Sequence, residues 1–195
     1  LNGRGVVILN PVAAHGRVRR RWPRIDEALR SVTGNAPTVW VSQAPGHAVD
    51  LAERAVHEGY DWVAACGGDG TVHEVVNGLC RAADGQLADG RPPYLVVLPA
   101  GTGNDFARSL GIPRHPLQAI ASYRNGSVGT VDVGRVSGRF FANVGGAGFD
   151  AEVAAEVNRS GKRMSGALPY VLAVGKKLFT YRNEAVRVIV DGEAL

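Results

Sequence analysis

Cysteine is scarce: Cys66 and Cys80 are the two found in 195 residues. One falls in an expected strand and the other in an expected helix. Both therefore read as buried apolar residues rather than a disulfide or metal pair, which fits a reducing compartment. Neither a secretory signal nor a run of about eighteen apolar residues is visible. Aromatic residues make up only 7% and do not interleave with the basic ones, which leaves little for stacking on nucleic-acid bases. The pattern G-x-x-x-x-G-K-[ST] is missing, so a P-loop NTPase is not expected. The chain starts at Leu1 rather than Met, and a trimmed or engineered N-terminus is the expectation.

What is present is an ordinary globular composition, 45% hydrophobic and 21% charged, suited to one larger domain or one and a fraction. Glycine is abundant at 26 residues, many of them directly after apolar runs, where strand ends turn. The net charge of +4 suits anionic partners such as nucleotides, acidic lipid surfaces or nucleic acid, without choosing among them. Much of the positive charge is local. Arg17, Arg19, Arg20, Arg21 and Arg24 crowd the start of an expected helix, where cations oppose the helix dipole. They read either as a solvated basic face or as a contact for phosphate or an acidic membrane.

Gly67-Gly68-Asp69-Gly70-Thr71 organises the chain. The apolar run Trp62 to Cys66 before it reads as a buried parallel strand, and Val72, Val75, Val76 and Leu79 after it follow helical spacing. Strand, glycine turn and helix point backbone N–H groups at a phosphate. A carboxylate within that loop would repel phosphate unless a metal or ordered water stands between them. The competing reading is a plain turn in which Thr71 and Glu74 form a capping box.

Alternation of strand and helix runs through the first two thirds. Gly5–Leu9, Thr38–Val41, Trp62–Cys66 and Tyr94–Pro99 read as strands. Val18, Trp22, Ile25, Leu29 and Val32 mark one helix, with Pro23 in its first turn or at a kink. Leu51, Ala52, Ala55 and Val56 mark a second, opened by Pro45-Gly46. Residues 81–93 read as a polar loop. The fourth strand runs into Ala100-Gly101-Thr102-Gly103-Asn104-Asp105-Phe106, a second glycine junction with a carboxylate, where Thr102 and Asp105 are candidate caps of a short helix. A parallel doubly wound sheet gathers its strand C-termini at one edge, so both loops can face one pocket.

Later, a helix is expected over Leu117 to Tyr123. Gly129–Val136 and Arg139–Val144 read as strands of a hairpin turned by Ser137-Gly138, with Asp132 either buried in the first strand or on an exposed face. Gly146, Gly148 and Ala151 imitate the dinucleotide fingerprint, but no acid follows at the required distance. Residues 159–166 read as a loop and Leu168 to Phe179 as an apolar helix packed on the core. Ala185–Val190 followed by Asp191-Gly192 reads as the first half of a hairpin. The expectation is a fragment that stops within the first hairpin of a further β domain.

Three segments together carry a resemblance. Asn10-Pro11, Gly67 to Thr71, and Gly101-Thr102-Gly103-Asn104-Asp105-Phe106-Ala107-Arg108 resemble the signatures of the diacylglycerol kinase catalytic domain, most of all in bacterial soluble lipid kinases. Asn143 to Asp150 is similar to a further family segment. The resemblance implies an α/β fold, a Rossmann-like or phosphofructokinase-like αβα layering of a mostly parallel sheet over residues 1–135. Residues 136–195 would be a connecting β/helical segment and the start of a truncated β-sandwich. It implies an ATP-dependent transferase of phospholipid metabolism, cytoplasmic or peripheral at the inner membrane face, acting on a lipid hydroxyl with Mg²⁺.

By motif position, Asn10, Pro11, Ser42, Gly67, Gly68, Asp69, Gly70, Thr71, Glu74, Gly101, Thr102 and Asn104 would hold ATP. Asp69 would be the catalytic residue of this part, and Asp69, Asp105 and Asp132 the carboxylates linking magnesium, water and phosphate. The family's general base would lie in the absent domain, so the chain alone would at most bind nucleotide. Ala14-His15 and His73 depart from the family pattern, where small residues including Gly, and Asn, are usual. An NAD or sugar kinase of the same superfamily, or a nucleotide sensor without catalysis, are the alternatives. A homo-oligomer is left open.

Overall fold

Gly5–Leu9 (β1) and Trp62–Gly67 (β3) are buried at every residue, as strands covered on both faces must be. In the computed structural model they lie at the centre of a four-stranded parallel sheet of order β2-β1-β3-β4, with β2 Thr38–Val41 and β4 Tyr94–Pro99 outside. Leu9 is level with Val41 on one side and Cys66 on the other, and Cys66 is level with Leu98. All four strand C-termini thus end on one edge. The structure describes residues 1–84, 93–146, 148–159 and 168–182, together with Ala185, Arg187, Ile189, Val190, Glu193 and Ala194.

Period-two alternation sends side chains to two cores. Val6, Ile8, Val63, Ala65 and Val97 meet α2 (His47–His57), α3 (Asp69–Asp84) and Phe106 of α4 (Asp105–Ser109). Val7, Leu9, Trp62, Ala64, Cys66, Val96 and Leu98 meet Val18, Ile25 and Leu29 of α1 (Arg17–Thr33) and Ile120 of α5 (Pro116–Ser122). The result is the expected three-layer α/β domain. Helices α2 and α3 cross so closely that a Cβ on Gly78 would stand 2.2 Å from the Val49 carbonyl oxygen.

Several local expectations are corrected. Pro23 sits in the second turn of α1, not the first, and the helix runs through it. Helix α3 continues to Asp84, so Arg81 to Asp84 are helical, and the rest of the expected loop at 85–92 lies outside the described residues. Of the expected strand Gly129–Val136 only Gly134–Val136 (β5) pairs, with β6 Arg139–Phe141. Val128, Val131 and Val133 are exposed and find no partner strand among the described residues, so their β propensity is not realised. Ser137 and Gly138 both take left-handed φ values, 47° and 76°, as a tight hairpin turn requires.

The chain divides into two compact units, residues 1–144 and 145–195. In the second, α6 (Phe149–Arg159) and α7 (Leu168–Thr180) pack through Val153 and Ala173 and are tied by Lys176–Glu156 and Lys177–Glu152 pairs. Helix α6 was not foreseen and contains Arg159, the first residue of an expected loop; residues 160–166 lie outside the described ones. Ile189–Val190 (β7) pairs antiparallel with Glu193–Ala194 (β8). The expected turn residues between them, Asp191 and Gly192, lie outside the described residues. Among the described residues no helix is long and apolar enough to cross a membrane.

Candidate active site

The strand order reverses between β1 and β3, where open α/β sheets bind ligands. A hydrogen bond spans that point. Asn10, just past β1, donates through Nδ2 to Thr71 Oγ1 at 2.9 Å, and its Oδ1 accepts the Val12 N–H at 3.2 Å. Its own N–H donates to the Cys66 carbonyl at 3.0 Å. Asn10 therefore couples the first loop to the glycine turn. Ser42, buried at the end of β2, donates its N–H to the Leu9 carbonyl at 2.9 Å and sits on the same edge. Pro11 follows Asn10, and beyond it Ala14, His15 and Gly16 take left-handed φ values of 49°, 59° and 78° in succession.

Gly68 caps α3. Its carbonyl accepts from the Thr71 and Val72 N–H groups at 2.9 and 3.1 Å. Among the described residues the N–H groups of Asp69 and Gly70 meet no protein acceptor. Gly70 is exposed, with nothing near its missing Cβ. A helix N-terminus with free donors beside an open glycine is suited to an anion. The capping-box reading of Thr71 and Glu74 is corrected by this geometry. Thr71 lies inside the helix with its hydroxyl bound to Asn10, and Glu74 Oε2 accepts the Ala48 N–H at 3.1 Å, capping α2 instead.

The second loop packs against the first through bare backbone. A Cβ on Gly101 would stand 2.4 Å from the Gly68 Cα. Asn104, buried and left-handed at φ 54°, holds the Gly101 N–H on its Oδ1 at 2.9 Å. Asn104, rather than Thr102 or Asp105, is the N-cap residue of α4, and its side chain makes no capping bond. The side-chain acceptor at that helix start comes from the other loop: Asp69 Oδ1 accepts the Phe106 N–H at 3.0 Å. Thr102 is exposed between Gly101 and Gly103.

This capping turns Asp69 toward the second loop. Asp69 Oδ2 and Asp105 Oδ2 lie 3.0 and 3.2 Å from the point where a Gly103 Cβ would be. Two carboxylates thus converge on one glycine, with Asp105 Oδ1 paired to Arg108 at 2.8 Å. Asp132 is exposed in the unpaired stretch before β5 and does not join them. Among the described residues no three His, Cys, Asp or Glu side chains gather as a metal site. Two carboxylates suit an ion that keeps most of its ligands as water and phosphate, as Mg²⁺ does. The crevice between the loops, lined by Gly67, Gly68, Asp69 and Asn104, is closed to a water-sized group. A phosphate would lie across the loops rather than between them.

Asn77 was not singled out in the sequence. It is buried in α3 and clamps the β5–β6 hairpin, donating to the Phe140 carbonyl at 2.8 Å and accepting the Phe140 N–H at 3.0 Å. Its signal was an amide on the otherwise apolar buried face of an amphipathic helix, which demands a partner.

Comparison with known proteins bears on the family and the fold. The sequence profile of the diacylglycerol kinase catalytic domain matches residues 4–136. A diacylglycerol kinase of Bacillus subtilis (strain 168) is 34% identical over 191 residues, covering 97% of this chain and 60% of that protein. One of Staphylococcus carnosus (strain TM300) is 30% identical, with 97% and 60% covered. The crystal structure of a candidate diacylglycerol kinase of Bacillus anthracis str. Sterne superposes with a TM-score of 0.73 at 27% identity, over 99% of this chain and 61% of that one. The chain spans about three fifths of the length of the relatives it matches.

Proposed function

The chain belongs to the diacylglycerol kinase catalytic domain family, and on that premise we propose that it holds ATP for transfer of the γ-phosphate to a lipid hydroxyl. The observation that carries this reading is the convergence of Asp69 and Asp105 on Gly103 beside the free N–H groups of Asp69 and Gly70. Phosphoryl transfer needs positioning and charge neutralisation more than covalent help. The α3 N-terminus, Thr102 and the Asn10–Thr71 pair hold the phosphates, and Pro11 and Ser42 border the nucleotide. Gly67, Gly68, Gly101 and Asn104 keep the two loops in contact. Glu74 acts at one remove, by fixing α2 against α3.

Asp69 and Asp105 would hold Mg²⁺, directly or through water, and the ion would supply the charge neutralisation that lets phosphate sit beside carboxylates. Asp132 joins that network only through a ligand or through chain beyond the described residues. The acceptor is a lipid presented at a membrane surface, and the group that takes its proton lies outside these residues. The chain alone therefore binds nucleotide without turnover.

Two measurements test this. Calorimetry of the chain with ATP and Mg²⁺ is expected to show binding that Asp69→Ala removes. A radiolabel-transfer screen of the longer protein, with lipid and soluble acceptors side by side, is expected to label lipid. Label on NAD or a sugar instead, or lipid turnover by the 195-residue chain alone, would overturn the corresponding part.

A further inference from the structure

Gly103 is flanked by charge of both signs. Asp69 Oδ2 and Asp105 Oδ2 converge where its Cβ would be, at 3.0 and 3.2 Å. Its carbonyl accepts a hydrogen bond at 3.0 Å from the Arg114 guanidinium. Arg108 is the residue that pairs with Asp105, at 2.8 Å. Arg114 pairs with no carboxylate among the described residues. Its bond to Gly103 uses one N–H of the guanidinium, and the others meet no protein acceptor among those residues. The residue is exposed. Ordering so long a side chain costs conformational entropy, and one bond on an open surface returns little of it. A cation fixed at the same glycine as two carboxylates, and pairing with neither, is placed for an incoming anion.

The chain fixes where Arg114 stands. Gly111 turns the connector between α4 and α5 at a left-handed φ of 68°, with its N–H on the Arg108 carbonyl at 3.0 Å. The Ile112 N–H is held by the Ala107 carbonyl at 2.8 Å, and Ile112 packs on the core that contains Phe106. Pro113 has its φ locked just before Arg114, and buried Pro116 opens α5. Arg114 thus sits on a connector anchored at both ends.

The order of the sheet indicates which phosphate reaches it. Along the edge, Ser42 follows β2, Pro11 follows β1, the α3 N-terminus follows β3 and the Gly101 to Asp105 loop follows β4. A nucleotide bordered by Ser42 and Pro11, and held at the free N–H groups of Asp69 and Gly70, extends toward the β4 loop. The far end of its phosphate chain then meets the residue bound to Gly103. The planar fork of a guanidinium matches phosphate oxygens in pairs.

We propose that Arg114 binds the terminal phosphate of ATP and lets the site tell ATP from ADP. The inference rests on the nucleotide reading above and adds to it the residue that selects the triphosphate.

Calorimetry of the chain with ATP and with ADP, each with Mg²⁺, tests it. The wild type is expected to favour ATP. Arg114→Gln is expected to lose about tenfold in ATP affinity and less than about twofold in ADP affinity. Arg114→Lys keeps the charge without the fork and should fall between the two. Arg124→Gln removes the same charge from an exposed arginine that bonds the Ser31 carbonyl, and should stay within about twofold of wild type on both nucleotides. Circular dichroism melting checks that the variants fold. Phenylglyoxal labelling of the wild type, mapped by mass spectrometry, gives a reading without substitution: Arg114 should be shielded by ATP and remain reactive with ADP. Equal losses on ATP and ADP in Arg114→Gln would make Arg114 a brace of the loop and overturn the proposal. So would unchanged ATP affinity in that variant, or equal labelling of Arg114 with the two nucleotides. Absence of ATP binding by the wild type would overturn the nucleotide reading and this inference together, whereas the other adverse results strike this one alone.

Discussion

Asp69 Oδ1 accepts the backbone N–H of Phe106 at 3.0 Å, so a residue at the start of one helix caps the start of another. This bond leaves Oδ2 as the oxygen directed at Gly103. The two oxygens are thus placed differently, one holding the start of α4 and one turned to Gly103, which the proposed reading gives to a ligand, and substitutions can separate them.

Asp69→Asn keeps an acceptor for Phe106 and removes the charge. Its melting temperature is expected to stay within a few degrees of wild type while Mg²⁺-dependent ATP binding is lost. Asp69→Ala loses the cap too and should fall in stability by about 1 kcal/mol. Urea unfolding and calorimetry together read both effects. Equal stability losses in the two variants would show that the cap is not what Asn preserves.

Gly70 and Gly101 offer a contrast. A Cβ on Gly101 runs into the Gly68 backbone, so Gly101→Ala should force the loops apart and cost about 1–3 kcal/mol. A Cβ on Gly70 meets nothing, and alanine favours the helix by about 0.5–1 kcal/mol. Gly70→Ala should therefore fold at least as well as wild type and yet bind ATP weakly, because the new methyl stands where phosphate approaches. Unchanged ATP affinity in a well-folded Gly70→Ala protein would move the phosphate site elsewhere.

Asn77 holds both backbone groups of Phe140. Asn77→Leu strands a buried N–H and a buried C=O and is expected to destabilise by about 2–4 kcal/mol. Hydrogen exchange at the Phe140 amide should accelerate more than at the β1 amides. An exchange rate unaltered at Phe140 would mean the hairpin is held by other contacts.

Burial pushes the Cys66 thiol from 9.0 up to about 12. The folded protein keeps a proton that the unfolded chain gives up first. The resulting stability is full below pH 9 and is lost as pH rises toward 12. Cys66→Ala removes this one source of pH dependence. Its unfolding free energy, measured across pH 8 to about 11, should fall less steeply than that of wild type. Parallel curves would show that the thiol does not ionise on unfolding.

How far the sequence could be read depended on the range of the forces involved. The apolar runs at Gly5–Leu9 and Trp62–Cys66 named the central strands because burial on both faces leaves no polar residue in them. The glycine loops were legible for a similar reason, since a tight turn restricts residue choice locally. The partners of Glu74 and Asp69 were not. Each reaches a backbone N–H on another element, 26 and 37 residues away, and only the packed sheet creates those proximities. The T-x-x-E spacing was a local pattern overridden by a distant donor. Strand propensity at Gly129 to Val133 misled in the opposite way, because a β-rich segment needs a neighbour and none is supplied among the described residues. Helix α6 carries a weak local signal: Val153 and Val157 stand four apart, but most of its other residues are alanine or charged and few mark a buried face.

The order β2-β1-β3-β4 has a consequence for how the domain is made. The strand that precedes the others in the chain is central, and each later strand joins an edge that already exists. During synthesis, β2 can settle on one side of β1 as soon as α1 has emerged, then β3 on the other side, then β4 on β3. No strand has to insert between two already paired. The growing sheet extends outward by accretion, and the switch point between β1 and β3 is the second seam to close, when β3 arrives.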